Sequence, residues 1–136
     1  MPTVKVQNTE LSYEPSDVIT FSEGLIGLSG LRRMVLVGQS SIEPFLWLAS
    51  LDVQGMAFLV VEPRSLFPDY NARITEEGND FLLLALVKLE TEWANTTVNL
   101  RAPLIVNPTT KRGAQVVLSD SNYSLAERLP SQLLAA

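Results

Sequence analysis

The sequence predicts an all-β domain, a small sandwich or barrel of mainly antiparallel strands with little helix. Three observations predict it. Short apolar segments recur along the whole chain, and few stretches hold a 3.6-residue apolar period. Turn residues punctuate the segments at intervals of roughly ten residues, the spacing of sandwiches and barrels. No internal repeat, low-complexity tract or linker divides the 136 residues, so a single domain spanning 1–136 is expected.

The candidate strands follow in order. Thr3–Val6 comes first, and the turn signal Glu14-Pro15-Ser16-Asp17 separates it from Val18–Phe21. Gly24, Gly27 and Gly30 mark a loop before Met34–Gly38, and Gly38–Ser41 turns the chain into Pro44–Ser50. Asp52–Gly55 leads to Met56–Glu62. Beyond the turn at Glu77–Asn79 stand Phe81–Glu90, Thr97–Arg101 and Leu104–Asn107, and Asn107-Pro108-Thr109-Thr110 turns into Ala114–Leu118. Near the end, Ser124 and Glu127 have capping-box spacing, and Leu125, Leu129 and Leu133 lie four apart, but Pro130 interrupts them. One turn of helix and a loosely packed tail from about residue 124 are expected.

Phe45–Ala49, Met56–Val61 and Phe81–Val87 are apolar at every position instead of alternating. A strand apolar on both faces needs cover on both. One face can line a barrel. The other calls for a loop, a helix, the tail or another protein, so part of this surface is a candidate docking face.

Composition narrows the chemistry. Hydrophobic residues make up 46% and charged residues 18%, enough to fill a core. No apolar run approaches the roughly 18 residues of a membrane span, and the first residues lack the pattern of a signal peptide, so a cytoplasmic protein without membrane contact is expected. Ten Lys and Arg face fifteen Asp and Glu, a net charge of −5 that disfavours direct nucleic-acid binding. Residues 1–70 carry most of the excess.

Histidine and cysteine are absent, which removes Ser-His and Cys-His nucleophile pairs and the ligands of ordinary zinc sites. Glu76, Glu77 and Asp80, and Glu90 with Glu92, flank strand ends, where solvated charge is the plain reading. The glycine run lacks the following Lys-Ser or Lys-Thr of a phosphate loop and reads as tight turns or positive-φ positions. No catalytic, cofactor or metal site is expected, and the chain reads as a binding protein and not an enzyme. A carboxylate hydrolase would need two acids converging in a cleft, and a single-strand nucleic-acid module would need aromatics flanked by bases.

Several blocks together resemble the flagellar assembly factor FliW family. They are Phe21-Ser22-Glu23-Gly24-Leu25-Ile26-Gly27-Leu28, Pro44–Ser50 with Ala57–Pro63, and Phe67-Pro68-Asp69-Tyr70. The most specific is Thr97–Asn107, followed by Arg112–Leu118 and Tyr123. Ile26 and Leu28 stand where the family usually shows Pro and Phe, and Ile74–Asn79 looks abbreviated, with a short helix missing. The resemblance implies a small antiparallel barrel-like domain with highly bent strands. It also implies two cytoplasmic partners, flagellin and the translational regulator CsrA, bound in exchange, with a monomer as the expected state. It carries over Asn99, Leu100, Arg101, Ala102, Pro103, Leu104 and Ile105 as the protein-contact strand, with a buried structural strand as the alternative. Pro103, lacking an N–H, would sit at an edge or bulge there. On that reading Asn99→Ala or Leu104→Glu weakens a complex without unfolding the domain. Phe45, Trp47 and Phe58 read as core aromatics.

Overall fold

The computed structural model describes residues 2–72, 81–119 and 122–134. The acids Glu76, Glu77 and Asp80, the turn Glu77–Asn79 and the abbreviated Ile74–Asn79 stretch lie outside them. The described residues form eleven strands: β1 (Thr3–Val6), β2 (Thr9–Ser12), β3 (Ile19–Phe21), β4 (Arg33–Gly38), β5 (Phe45–Ser50), β6 (Ala57–Val61), β7 (Leu82–Lys88), β8 (Thr97–Val98), β9 (Leu104–Asn107), β10 (Arg112–Gln115) and β11 (Glu127–Arg128). One helical turn, α1 (Ser131–Leu134), follows.

Strands β3 to β7 pair in sequence order, β7 pairs β9, β9 pairs β10, and β10 returns to β3, closing a seven-stranded barrel. All ladders are antiparallel except β3–β10, which is parallel. Strand β7 forks. Its Leu82–Leu84 half lies against β9 and its Val87–Lys88 end against β8, which in turn holds β11. The β1–β2 hairpin is a separate two-stranded sheet.

The three segments without alternation are explained by this layout. Inward-facing Ile19, Phe21, Met34, Leu48, Val60, Leu84, Leu104 and Val106 fill the barrel, with Leu25 and Leu31 packed beside them. Removing each large side chain from water contributes about 2 kcal/mol. On the outer face, Val35, Val37, Phe45, Trp47, Ala49, Leu59, Val61, Ala85 and Val87 meet Val4 and Val6 of the hairpin, Tyr70, Leu100 and Leu129. The hairpin and the tail thus cover most of the second face.

Gly113 of β10 faces inward, and a Cβ there would lie 2.6 Å from the Phe21 ring. Gly24 has φ +67° and no room for a side chain, because a Cβ would meet the Leu28 carbonyl at 2.5 Å. With Gly27 at φ +79° this fits the expected turn glycines, whereas Gly30 is outside the left-handed region.

One strand was not expected, and three local expectations are corrected. Strand β2 carried no sequence signal, because three of its four side chains are exposed and its two-residue turn uses Gln7 at φ 55° in place of glycine. Thr97–Arg101 stops at Val98, where the Asn99 side chain accepts from the Arg101 and Ala102 N–H groups and bends the backbone. Ala114–Leu118 shifts to Arg112–Gln115; beyond it, Val116 and Leu118 donate to Pro103 and Arg101 outside a regular ladder. The expected turn of helix at Ser124 is absent. The Ser124 hydroxyl accepts from Ala126 N–H, one residue short of a capping box, and pairing with β8 holds Glu127–Arg128 extended. Helix forms only after Pro130, whose carbonyl accepts from Leu133 N–H.

Candidate partner-binding surface

Five of the seven residues from Asn99 to Ile105 are buried: Leu100, Ala102, Pro103, Leu104 and Ile105. Asn99 and Arg101 are half-buried. The backbone here is engaged within the chain. Leu100 N–H donates to the Ser124 carbonyl, while its own carbonyl accepts from the Tyr70 hydroxyl at 2.8 Å. The carbonyls of Arg101, Ala102 and Pro103 accept from Leu118 N–H, the Gln115 amide and Val116 N–H. Pro103 therefore stands at an internal break between β8 and β9, not at an exposed edge, because β9 has a neighbour on each side. Leu104 points into the barrel, where Leu104→Glu would bury an unpaired carboxylate.

Tyr70 anchors this segment from the outer face. Burial raises its hydroxyl to about 12, the nearby Tyr123 adds to the rise, and Arg64 opposes it. The two tyrosine rings stand 4.6 Å apart, and Asn71 N–H donates to the Tyr123 hydroxyl. The block shared between Phe67–Tyr70 and Thr97–Asn107 is thus one connected piece of architecture.

Phe45 and Trp47 are core, as expected. The Trp47 indole N–H donates to the Gln39 side chain at 3.1 Å, and the Phe45 ring meets Trp93 edge-on at 5.6 Å. Phe58 is different. It is half-buried, as are Leu36, Leu46 and Leu86, all packed against the inner cluster. Register places them together: Leu46 and Leu86 flank Val60 in one cross-strand row, and Leu36 and Phe58 flank Leu48 in the next. Directly opposed side chains on one sheet face are close neighbours. These four, one from each of β4 to β7, make a half-buried apolar strip set around the fully buried Leu48 and Val60. Period alone could not separate them from their buried neighbours, because Leu46 and Leu48 read alike in sequence.

A second exposed feature is the turn carrying Ile26 and Leu28. Leu25 and Leu28 exchange both backbone hydrogen bonds, and Ile26 at the tip is 59% exposed. Its N–H donates to the Gln115 side chain, tying the tip to β10.

Electrostatics are modest. Asp52 accepts from the N–H groups of Arg33 and Arg32 and from the Arg33 guanidinium at 3.2 Å, and these bonds, the backbone ones first, hold its carboxyl below the usual range. Among the described residues no three acids gather as a metal site would require. Among the described residues no helix is long and apolar enough to cross a membrane.

Comparison with known proteins agrees with this architecture. The family model described as FliW protein matches residues 3–129. Flagellar assembly factor FliW 2 of Desulfotalea psychrophila is 30% identical, over 96% of this chain and 92% of that protein. Flagellar assembly factor FliW of Bdellovibrio bacteriovorus is 34% identical, over 96% of this chain and 79% of its own length. A crystal structure of the flagellar assembly factor FliW superposes with a TM-score of 0.80 at 27% identity, over 93% of this chain and 96% of that one.

Proposed function

The chain belongs to the FliW family, and on that premise we propose that it serves flagellum assembly in the cytoplasm as a protein-binding regulator, holding flagellin and, once flagellin leaves, capturing the translational regulator CsrA. The observation that carries the reading is the near end-to-end agreement with proteins named flagellar assembly factors. The structure lends it physical support. A strip of half-exposed apolar side chains lies on a closed barrel, and Phe58 has the size and character of an interface anchor. Contact through the Asn99–Ile105 segment would fall on Asn99 and Arg101, with the other five residues as the scaffold that presents them.

Exchange needs no bond chemistry. Two partners competing for one protein share it according to concentration and affinity. The acid excess of residues 1–70 suits antagonism of an RNA-binding partner, because a negative surface docked beside a cationic one weakens RNA binding by repulsion. Calorimetric titration with flagellin and with CsrA, singly and then in competition, tests the reading. Saturable binding to each and mutual displacement are expected, and heat from neither partner at micromolar concentration would end it. An alternative, a small barrel that binds a different protein, gains no specific observation.

A further inference from the structure

The barrel wall has an unpaired stretch beside the apolar strip. Phe21 N–H donates to Arg32 O, β3 sets Ile19 opposite Met34, and Leu51 N–H donates to Arg33 O. Hydrogen-bonded pairs in an antiparallel ladder recur every second residue. Arg33, Val35 and Val37 therefore turn their N–H and C=O groups toward β5, whereas Met34, Leu36 and Gly38 turn theirs the other way. Strand β3 is three residues long and reaches only Arg33 and Met34. Among the described residues no strand stands opposite Leu36 and Gly38. Instead a groove of about 320 Å³ lies there, with Leu36, Gly38, Leu11, Tyr13, Glu14 and Asp17 in its lining.

We propose that the Leu36–Gly38 edge of β4 is a docking site for an extended peptide segment of a partner protein, which adds as a strand where β3 stops. The chemistry of this edge selects that occupant. Two outward N–H and C=O sets, two residues apart along the strand, repeat at the roughly 6.8 Å period of a β-ladder and are answered by peptide backbone. An added strand would send alternate side chains to Leu36 and Leu46 on the inner side and to Leu11 and Tyr13 on the outer side, so apolar residues fit both faces. Glu14 and Asp17, both exposed, place negative charge in the groove's lining, and the Lys111 ammonium lies 3.9 Å from Asp17 while Glu14 has no ion pair among the described residues. A basic residue on the peptide beside Glu14 completes the match. The proposal rests on the reading of the chain as a protein binder, but not on which protein carries the segment.

Amide hydrogen exchange on isotope-labelled protein tests it, with a short capped peptide of alternating valine and threonine, lysine at each end, as probe. In the free protein Leu36 and Gly38 amides should exchange at least about tenfold faster than those of Val35 and Val37. The peptide should slow both, N-methylation at one set of alternate positions should abolish binding while methylation at the other set spares it, and Glu14→Lys should weaken binding severalfold. Equal protection of all four amides in the free protein, or no binding at millimolar peptide, or binding that leaves Leu36 and Gly38 unchanged, overturns the proposal. Flagellin or CsrA binding by calorimetry with those two amides unaffected would sink this docking mode and leave the function standing. Failure of both proteins to bind, with the peptide still protecting the edge, would do the reverse.

Discussion

At the scale of single residues, two side chains give pH-dependent stability of opposite sign, Asp52 through the hydrogen bonds it accepts and Tyr70 through its burial. Asp52 is held below its ordinary acidity constant by two backbone N–H groups and a guanidinium, so its contribution is present above the unfolded value near 3.8 and is lost as pH falls through the lower folded value. Asp52→Asn should cost on the order of 1–2 kcal/mol at neutral pH. The gap from wild type should narrow as urea midpoints are followed into the acid range. Tyr70 runs the other way. Its folded hydroxyl is raised to about 12, so its contribution holds up to the unfolded value near 10 and fades as pH climbs from there toward 12. Tyr70→Phe strands the buried Leu100 carbonyl and should cost about 1–2 kcal/mol in thermal or denaturant unfolding, while ultraviolet titration of wild type should show one phenol ionising late. Gly113→Ala drives a methyl into the Phe21 ring and should destabilise by about 2 kcal/mol. The glycine rule that read positions 24 and 27 correctly gave no warning of Gly113, because its need comes from an inward neighbour on a strand far away in sequence.

At the scale of elements, strands that are buried on both faces were the most legible. Their unbroken apolar runs announced β5, β6 and β7, while β2 and β11 were invisible because short, polar strands are made by pairing and not by pattern. The tail shows how tertiary contact overrides a local motif. Capping-box spacing favours helix at Ser124, yet pairing with β8 and burial of Leu129 draw the segment straight. Leu129→Ala should therefore cost about 2–3 kcal/mol of global stability if the tail unfolds with the barrel. If instead the tail opens alone, exchange at Glu127 and Arg128 should accelerate with little change in the barrel's midpoint, and the two outcomes are separable by residue-resolved exchange. The apolar strip makes a contrasting prediction. Phe58→Ala should lower affinity for a bound partner by about 2 kcal/mol, read by calorimetry, with a smaller effect on folding than truncating the fully buried Leu48.

At the scale of the whole molecule, the barrel class was readable from turn spacing, and the family from blocks spread along the chain, but strand order was not. Nothing in the residues of β3 and β10 states that they lie side by side in parallel, since partners so distant leave no local mark. The same gap explains the contact segment. Thr97–Asn107 is tied to Tyr70, Gln115 and Ser124 at once, and partners so far off in sequence leave no local sign that five of the seven residues from Asn99 to Ile105 are buried. If charge contributes to antagonism of an RNA-binding partner, raising salt should weaken that antagonism while the protein complex persists, as competition assays at two ionic strengths would register. The parallel seam carries a consequence for biosynthesis. A ribosome releases β3 early and β10 late, so the growing polypeptide keeps an open, unzipped wall through most of its translation. Closure is a late event, and a prematurely terminated product lacking β10 leaves β3 and β9 without the strand that joins them.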